Sequence, residues 1–326
     1  PRVRGSSIPS VLATKHSPLR TRNCSLSKTF RIINSESAGH VHAGTPVILN
    51  RQEVAGTVTD SRSPHTDETP YQCPRCEGEL SQTAGNLRCE NCQKTYPVQD
   101  DFVDFIDDDN FEAPSWLIGN LFDWIHPIYD SLYFPLLYRI GALPRNHSVK
   151  QEVNELVERT RAKNGRALDV ACGTGVLTRR LAEVHQRVFG IDLSSGMLEE
   201  ANDRTSKTLD IKTEYARANA ERLPFVENVF DAVTCSGAIY FFPDLDTVLS
   251  EIGRVLRPQA RFAGMTIVDE GWMDNPLSHA GLKLYQQFET YRVYEIEELF
   301  ERLRSHGFRE INHTVYGSIL LFDALN

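Results

Sequence analysis

The stretch Ala167-Leu168-Asp169-Val170-Ala171-Cys172-Gly173-Thr174-Gly175-Val176-Leu177-Thr178 reads as an apolar strand, a turn of small residues and the start of a helix. Working outward, strands are predicted near 166–171, 188–192, 213–218, 230–235, 261–268, 308–314 and 317–323. Helices are predicted near 148–162, 175–185, 194–204, 244–256 and 294–306. Alternation of this kind needs crossover connections, and these give a mainly parallel sheet covered on both faces. The last two strands are too close in sequence for a crossover and must form an antiparallel hairpin. The expectation is an α/β, doubly wound, seven-stranded and mainly parallel sheet over residues 148–326.

In such a sheet the turn after the first strand lies at the carboxyl edge, where ligands bind. Small residues let the backbone approach a ligand, and the helix N-terminus offers free N–H groups suited to a carboxylate. Seventeen residues after Gly175, the strand Val188-Phe189-Gly190-Ile191-Asp192 ends in a carboxylate placed to accept from two ribose hydroxyls. A dinucleotide-binding dehydrogenase would show the same strand, turn, helix and acid. Asp169 separates the two readings: inside the first motif it would repel a phosphate, but it could reach an amino group through the turn. Downstream lie Ala218-Asn219-Ala220-Glu221-Arg222-Leu223-Pro224-Phe225, then Asn228-Val229-Phe230-Asp231-Ala232-Val233-Thr234-Cys235-Ser236, then Glu251-Ile252-Gly253-Arg254-Val255-Leu256-Arg257-Pro258.

Taken together, these four stretches resemble the class I S-adenosylmethionine-dependent methyltransferases, within them the group containing the ubiquinone/menaquinone C-methyltransferases. The resemblance spans roughly Phe122 to Ala324. It implies S-adenosylmethionine as methyl donor, with Asp169, Gly173 and Gly175 at its methionine end and Ala171 and Thr174 in the same turn. It further implies Asp192 and Leu193 at the ribose, Asn219 and the Ala220 backbone at the adenine edge, Met197 on the adenine face and Ser236 beside the sulfonium. Two departures are visible: Ala171 stands where the family usually has the first glycine of its triplet, and Pro258-Gln259-Ala260 replaces Pro-Gly-Gly. Residues 109–147 form an aromatic stretch in which Phe122-Asp123-Trp124-Ile125-His126-Pro127-Ile128-Tyr129-Asp130 resembles the family's lid helix, with Tyr129 as the lid residue.

Ahead of this, residues 69–108 carry Cys73-Pro74-Arg75-Cys76, twelve residues, then Cys89-Glu90-Asn91-Cys92. Two facing knuckles with this spacing hold zinc tetrahedrally through four thiolates. With every position taken by protein the zinc would be structural, and so small a module would fold on its metal, melting without it while the larger domain survives. The continuation Thr95-Tyr96-Pro97-Val98 onward resembles ribbons of bacterial rRNA guanine methyltransferases and of a plant plastid group of methyltransferases. Cys172 and Cys235 are expected at the cofactor turn and in a core strand.

The formal charge is −9. Residues 1–35 hold seven Lys or Arg and no acid, so the remainder carries −16. A body that acidic repels phosphate, which disfavours nucleic acid as a partner. Residues 1–68 are Ser-, Thr-, Arg- and Pro-rich without sustained periodicity, and read as a disordered or targeting extension. The expected location is cytoplasmic, or a plastid or mitochondrion if residues 1–40 act as a transit peptide. No apolar run is long enough for a membrane-spanning helix.

Methyl transfer from a sulfonium is an in-line displacement, so the protein mainly aligns donor and acceptor and excludes water. A base is needed only when the acceptor arrives protonated, and His126, Tyr129 and Tyr240 are the candidates. The lid and the insert from Asp269 to Tyr294 are aromatic and apolar, which favours a hydrophobic small molecule such as a quinone or lipid precursor. The alternatives are an rRNA or tRNA base methyltransferase, and a non-catalytic methyltransferase-like subunit whose ribbon serves a partner.

Overall fold

The computed structural model describes residues 70–83, 85–99, 102–106, 122–124, 126, 129, 148–161, 164–207, 213–268 and 292–326. The N-terminal extension, most of the lid and nearly all of the Asp269–Tyr294 insert lie outside the described residues.

Four short strands come first: β1 (Leu80–Thr83), β2 (Asn86–Cys89), β3 (Thr95–Gln99) and β4 (Phe102–Asp104). The larger domain follows as α1 (Val149–Thr160), β5 (Arg166–Val170), α2 (Val176–Leu181), β6 (Arg187–Asp192), α3 (Ser195–Ser206) and β7 (Thr213–Arg217). It continues with β8 (Phe230–Ser236), α4 (Leu245–Val255), β9 (Leu256–Ile267), α5 (Ile296–Ser305), β10 (Arg309–Tyr316) and β11 (Ile319–Leu325).

Why these segments fold as they do is visible in their residues. β5, β6 and β8 are almost wholly buried runs of Ala, Leu, Val, Phe and Ile, as a two-sided parallel sheet requires. α1, α3 and α4 each start from a side-chain cap: Ser148 accepts from Gln151 N–H, Ser194 from Met197 N–H and Asp244 from Thr247 N–H. α1 ends where Arg161 turns left-handed.

All seven expected strands are present, in the order β7-β6-β5-β8-β9-β11-β10, with β11 antiparallel to both neighbours. The hairpin register, Tyr316 opposite Ile319, places Gly317 in its turn at φ 60°. β9 starts earlier than its periodicity suggests. It leaves α4 without a loop, pairs Leu256 with Phe230, slips at Pro258-Gln259-Ala260 and resumes with Arg261 opposite Ala232. Gln259 takes φ 67° there, a left-handed position that a glycine would hold more cheaply.

The cysteine strands do not stand apart from this sheet. β1 to β4 form an antiparallel meander whose last strand pairs in parallel with β7, Phe102 opposite Tyr215 and Asp104 opposite Arg217, so one sheet runs through eleven strands. Tyr71 stacks on Phe225 at 5.1 Å between ring centroids and meets Phe189 edge-on at 5.9 Å. Tyr71, Cys73, Cys89, Tyr96 and Phe105 thereby share one buried cluster with Phe189, Phe225 and Phe230. Sequence spacing shows the knuckles but not this docking, because the pairing partner is a distant strand.

Candidate cofactor cleft and cysteine centre

β5, β6 and β7 end together, and a cleft opens at their carboxyl edge. It is bounded by the turn after β5 (Ala171, Gly173), the end of β6 (Ile191, Asp192, Leu193) and Met197 of α3. The far side is formed by Ala218 to Glu221 after β7 and by Ser236 to Ala238 after β8, with Phe122, Tyr129, Phe241 and Phe242 as an aromatic wall.

The turn itself is left-handed three times over, with φ 54° at Ala171, 53° at Gly173 and 71° at Gly175. Gly173 N–H donates to Asp192 Oδ2 at 2.8 Å and Ser194 N–H donates to Oδ1 at 2.9 Å, so the turn is pinned to the end of β6. Each carboxylate oxygen keeps a lone pair for a further donor. Burial pushes the Asp192 carboxyl above the usual range against the pull of these N–H groups. Gly175 is closely packed. A Cβ there would lie 2.5 Å from the Tyr215 hydroxyl, and neither Gly175 nor Thr174 lines the cleft.

Ala171 carries a Cβ in a conformation that suits glycine. Ala171→Gly should therefore stabilise the fold by about 1 kcal/mol, read from urea unfolding midpoints. A lower midpoint for the variant would mean the turn is relaxed with alanine.

Asp169, expected at the methionine end of the cofactor, is engaged within the fold. It is 1% exposed and does not line the cleft. Its Oδ2 accepts from Thr178 Oγ1 at 2.6 Å and its Oδ1 from Thr234 Oγ1 at 2.8 Å, which locks β5 to α2 and β8. Desolvation raises its carboxyl to about 6 although both hydroxyls favour the charged form.

Met197 is buried on the cleft wall, with its N–H capped by Ser194 Oγ at 3.1 Å. Asn219 folds its side chain back, Oδ1 accepting from Glu221 N–H at 3.0 Å, and so shapes the loop that carries Ala220. Of the three acid–base candidates only Tyr129 lines the cleft, edge-on to Phe122 at 5.8 Å. His126 instead packs against Gly196, where a Cβ would come within 2.5 Å of its ring, and Tyr240 packs on Phe241 at 4.6 Å.

Four residues escape the sequence reading. Asp123 Oδ1 accepts from Ser194 Oγ at 2.6 Å and Gly196 N–H at 3.0 Å, clasping the lid segment to the N-terminus of α3. Phe241 and Phe242 follow β8, and the adjacent aromatics after Ser236 were the available signal. Glu152 of α1 is buried and accepts from Ser236 Oγ at 2.7 Å; nothing in its sequence surroundings distinguishes it from a surface helix charge.

At the sheet's far edge the Sγ atoms of Cys73, Cys76, Cys89 and Cys92 all lie within 4.8 Å of one another. Two of the separations are 3.5 and 3.7 Å. Four thiolates about 2.3 Å from one tetrahedral ion stand about 3.8 Å apart, so the set fits zinc. Each knuckle turns through a left-handed residue, Glu77 at φ 58° and Gln93 at φ 63°.

Residues 168–264 match a family described as a methyltransferase domain. The chain is 32% identical over 200 residues to a demethylmenaquinone methyltransferase of Lactiplantibacillus plantarum, covering 60% of this chain and 77% of that protein. It is 37% identical over 156 residues to a 2-phytyl-1,4-naphtoquinone methyltransferase of Synechococcus elongatus, covering 46% of this chain and 63% of the relative's length. A third relative, an uncharacterised chloroplastic methyltransferase of Arabidopsis thaliana, is 25% identical over 281 residues, 78% of this chain and 77% of that one. The protein belongs to the class I S-adenosylmethionine-dependent methyltransferase family.

Proposed function

We propose that the protein transfers a methyl group from S-adenosylmethionine to a ring carbon of a hydrophobic quinol. The observation that carries this reading is the aromatic wall of Phe122, Tyr129, Phe241 and Phe242 on the same cleft as the Asp192 carboxylate and the β5 turn. Such a wall suits a flat apolar acceptor, and two of the relatives are named for quinone methylation. S-Adenosylmethionine supplies an electrophilic methyl group when bound. Asp192 would take the ribose hydroxyls, Met197 the adenine face, Asn219 and Ala220 the adenine edge, and Ser236 the reacting end.

The four cysteines would hold one structural zinc, whose work is to fix the strands that extend the sheet beyond β7. The acid-free start of the chain and the chloroplastic relative together favour a plastid address, which a fluorescent fusion of residues 1–68 would read directly.

The deciding assay offers radiolabelled S-adenosylmethionine with chemically reduced 2-phytyl-1,4-naphthoquinone, and separately with total cell RNA. Label should enter the organic phase. Label entering RNA and released by ribonuclease, with none in the quinol, would replace this acceptor with a nucleic-acid base and leave the enzyme class intact.

A further inference from the structure

The inner face of α1 carries Val153, Leu156 and Thr160 against the sheet, and with them Glu152, only 4% exposed. A glutamate is almost never buried to that extent without a cation. Among the described residues none pairs with it, and its partner is the Ser236 hydroxyl at 2.7 Å. Ser236 closes β8 and lines the cleft, with Glu152 directly behind it.

The charged groups on the elements packed against α1 are engaged elsewhere. Asp323 of β11 holds Arg159 and Arg261 of β9, Arg180 of α2 holds Glu183, Arg179 bonds the Thr174 carbonyl, and Asp231 of β8 holds Arg257. On α1 itself Glu155 pairs with Arg159, while Lys150 and Glu158 are exposed. Glu152 thus feels burial first and Ser236 second, and burial pushes its carboxyl up to about 7, where it can gain and lose a proton near neutrality.

We propose that Glu152 is a positioning residue for acceptor deprotonation, taking the Ser236 hydroxyl proton as Ser236 takes one from an acceptor hydroxyl in the cleft. The inference rests on the reading of the acceptor as a quinol. The acceptor's O–H proton passes to Ser236 Oγ and the serine's own proton to the Glu152 carboxylate. The electron pair left on the acceptor oxygen feeds the ring, whose carbon forms the new bond to the methyl carbon. The carbon–sulfur bond breaks and its electron pair stays on sulfur. The ring carbon then loses its hydrogen to solvent as a proton, the oxygen regains one, and Glu152 releases its proton to solvent.

Two measurements on the full chain test this. Difference infrared spectra of the protein saturated with S-adenosylhomocysteine, between about pH 5 and about pH 9, should contain a protonated-carboxyl band that titrates near neutrality and is absent in Glu152→Gln. A glutamate ionised throughout overturns the inference whatever the acceptor proves to be. With the reduced naphthoquinone as acceptor, Glu152→Gln should lower kcat about a hundredfold, leave KM for S-adenosylmethionine unchanged and abolish the fall in rate at acid pH, and Ser236→Ala should lower kcat to a similar extent. Unchanged profiles, or a loss confined to cofactor affinity, would show instead that the pair holds the cofactor. A wild-type protein inactive on the quinol refutes the acceptor reading, and the infrared titration then decides the proton site by itself.

Discussion

Replacing Cys73 and Cys89 together by serine is expected to remove one zinc per chain and to lower the melting temperature of the whole folded unit, not of the cysteine strands alone. The reason lies at β7. Its outer edge is hydrogen-bonded to β4, Phe105 N–H reaches the Arg217 carbonyl at 2.8 Å, and Asp104 receives the Arg217 guanidinium at 3.2 Å. The same Arg217 donates through Nε to the carbonyl of Leu193 at 2.8 Å, beside Asp192 on the cleft wall. Losing the metal would free the strands that cover Phe189 and Phe225 and would unseat this arginine. Thiolate–zinc ligation contributes about 10–16 kcal/mol in isolated fingers, comparable with the whole stability of a domain. Even a loss of about 5 kcal/mol displaces melting by about 10 °C or more in a fold of this size. Calorimetry with metal analysis reads both quantities. If S-adenosylhomocysteine binding and the main transition survive chelation intact, the cysteine strands are an independent appendage, as their sequence alone suggested.

The second large effect is expected at Asp192. Asp192→Ala should weaken S-adenosylmethionine and S-adenosylhomocysteine about ten- to a hundredfold, the cost of about 1.5–3 kcal/mol for losing hydrogen bonds to a charged acceptor. Part of that loss belongs to the turn, since the carboxylate also receives Gly173 and Ser194 N–H groups. Asp192→Asn keeps one oxygen acceptor and should fall between wild type and alanine. Titration calorimetry orders the three. Because burial raises this carboxyl, the wild-type affinity should decline on acidification sooner than for an ordinary aspartate, as the acceptor oxygens become protonated. Equal affinity in all three proteins would remove Asp192 from the site.

The domain was readable because its strands are buried runs at regular intervals, and a parallel sheet leaves few other arrangements for such runs. Part of the cleft was readable as well: of the residues expected at the cofactor, Ala171, Gly173, Asp192, Leu193, Met197, Asn219, Ala220 and Ser236 line it. Direction was harder. Asp169 sits one residue before the strand's end, and composition cannot say that its two oxygens are taken by hydroxyls nine and sixty-five residues away. His126 and Tyr240 carry the right chemistry but do not line the cleft; His126 packs on Gly196, and Tyr240 packs on Phe241 with its hydroxyl beside Gly237. Glu152 was invisible for the opposite reason, since a helical glutamate reads as a solvent charge until the serine facing it is known.

The parallel pairing of β4 with β7 also sets a timetable for the growing chain. Asp104 and Arg217 are separated by 113 residues, so the cysteine strands emerge from the ribosome well before the strand they dock on exists. At roughly 5–20 residues per second that interval lasts about 6–23 s. During it a short meander with exposed Tyr71 and Phe105 rings and four reduced thiols has no hydrophobic surface to lean on. Metal captured in those seconds would hold β4 extended and in register, a finished edge waiting for the rest of the sheet. Zinc starvation during synthesis should therefore lower the yield of folded protein more than chelation applied after folding is complete.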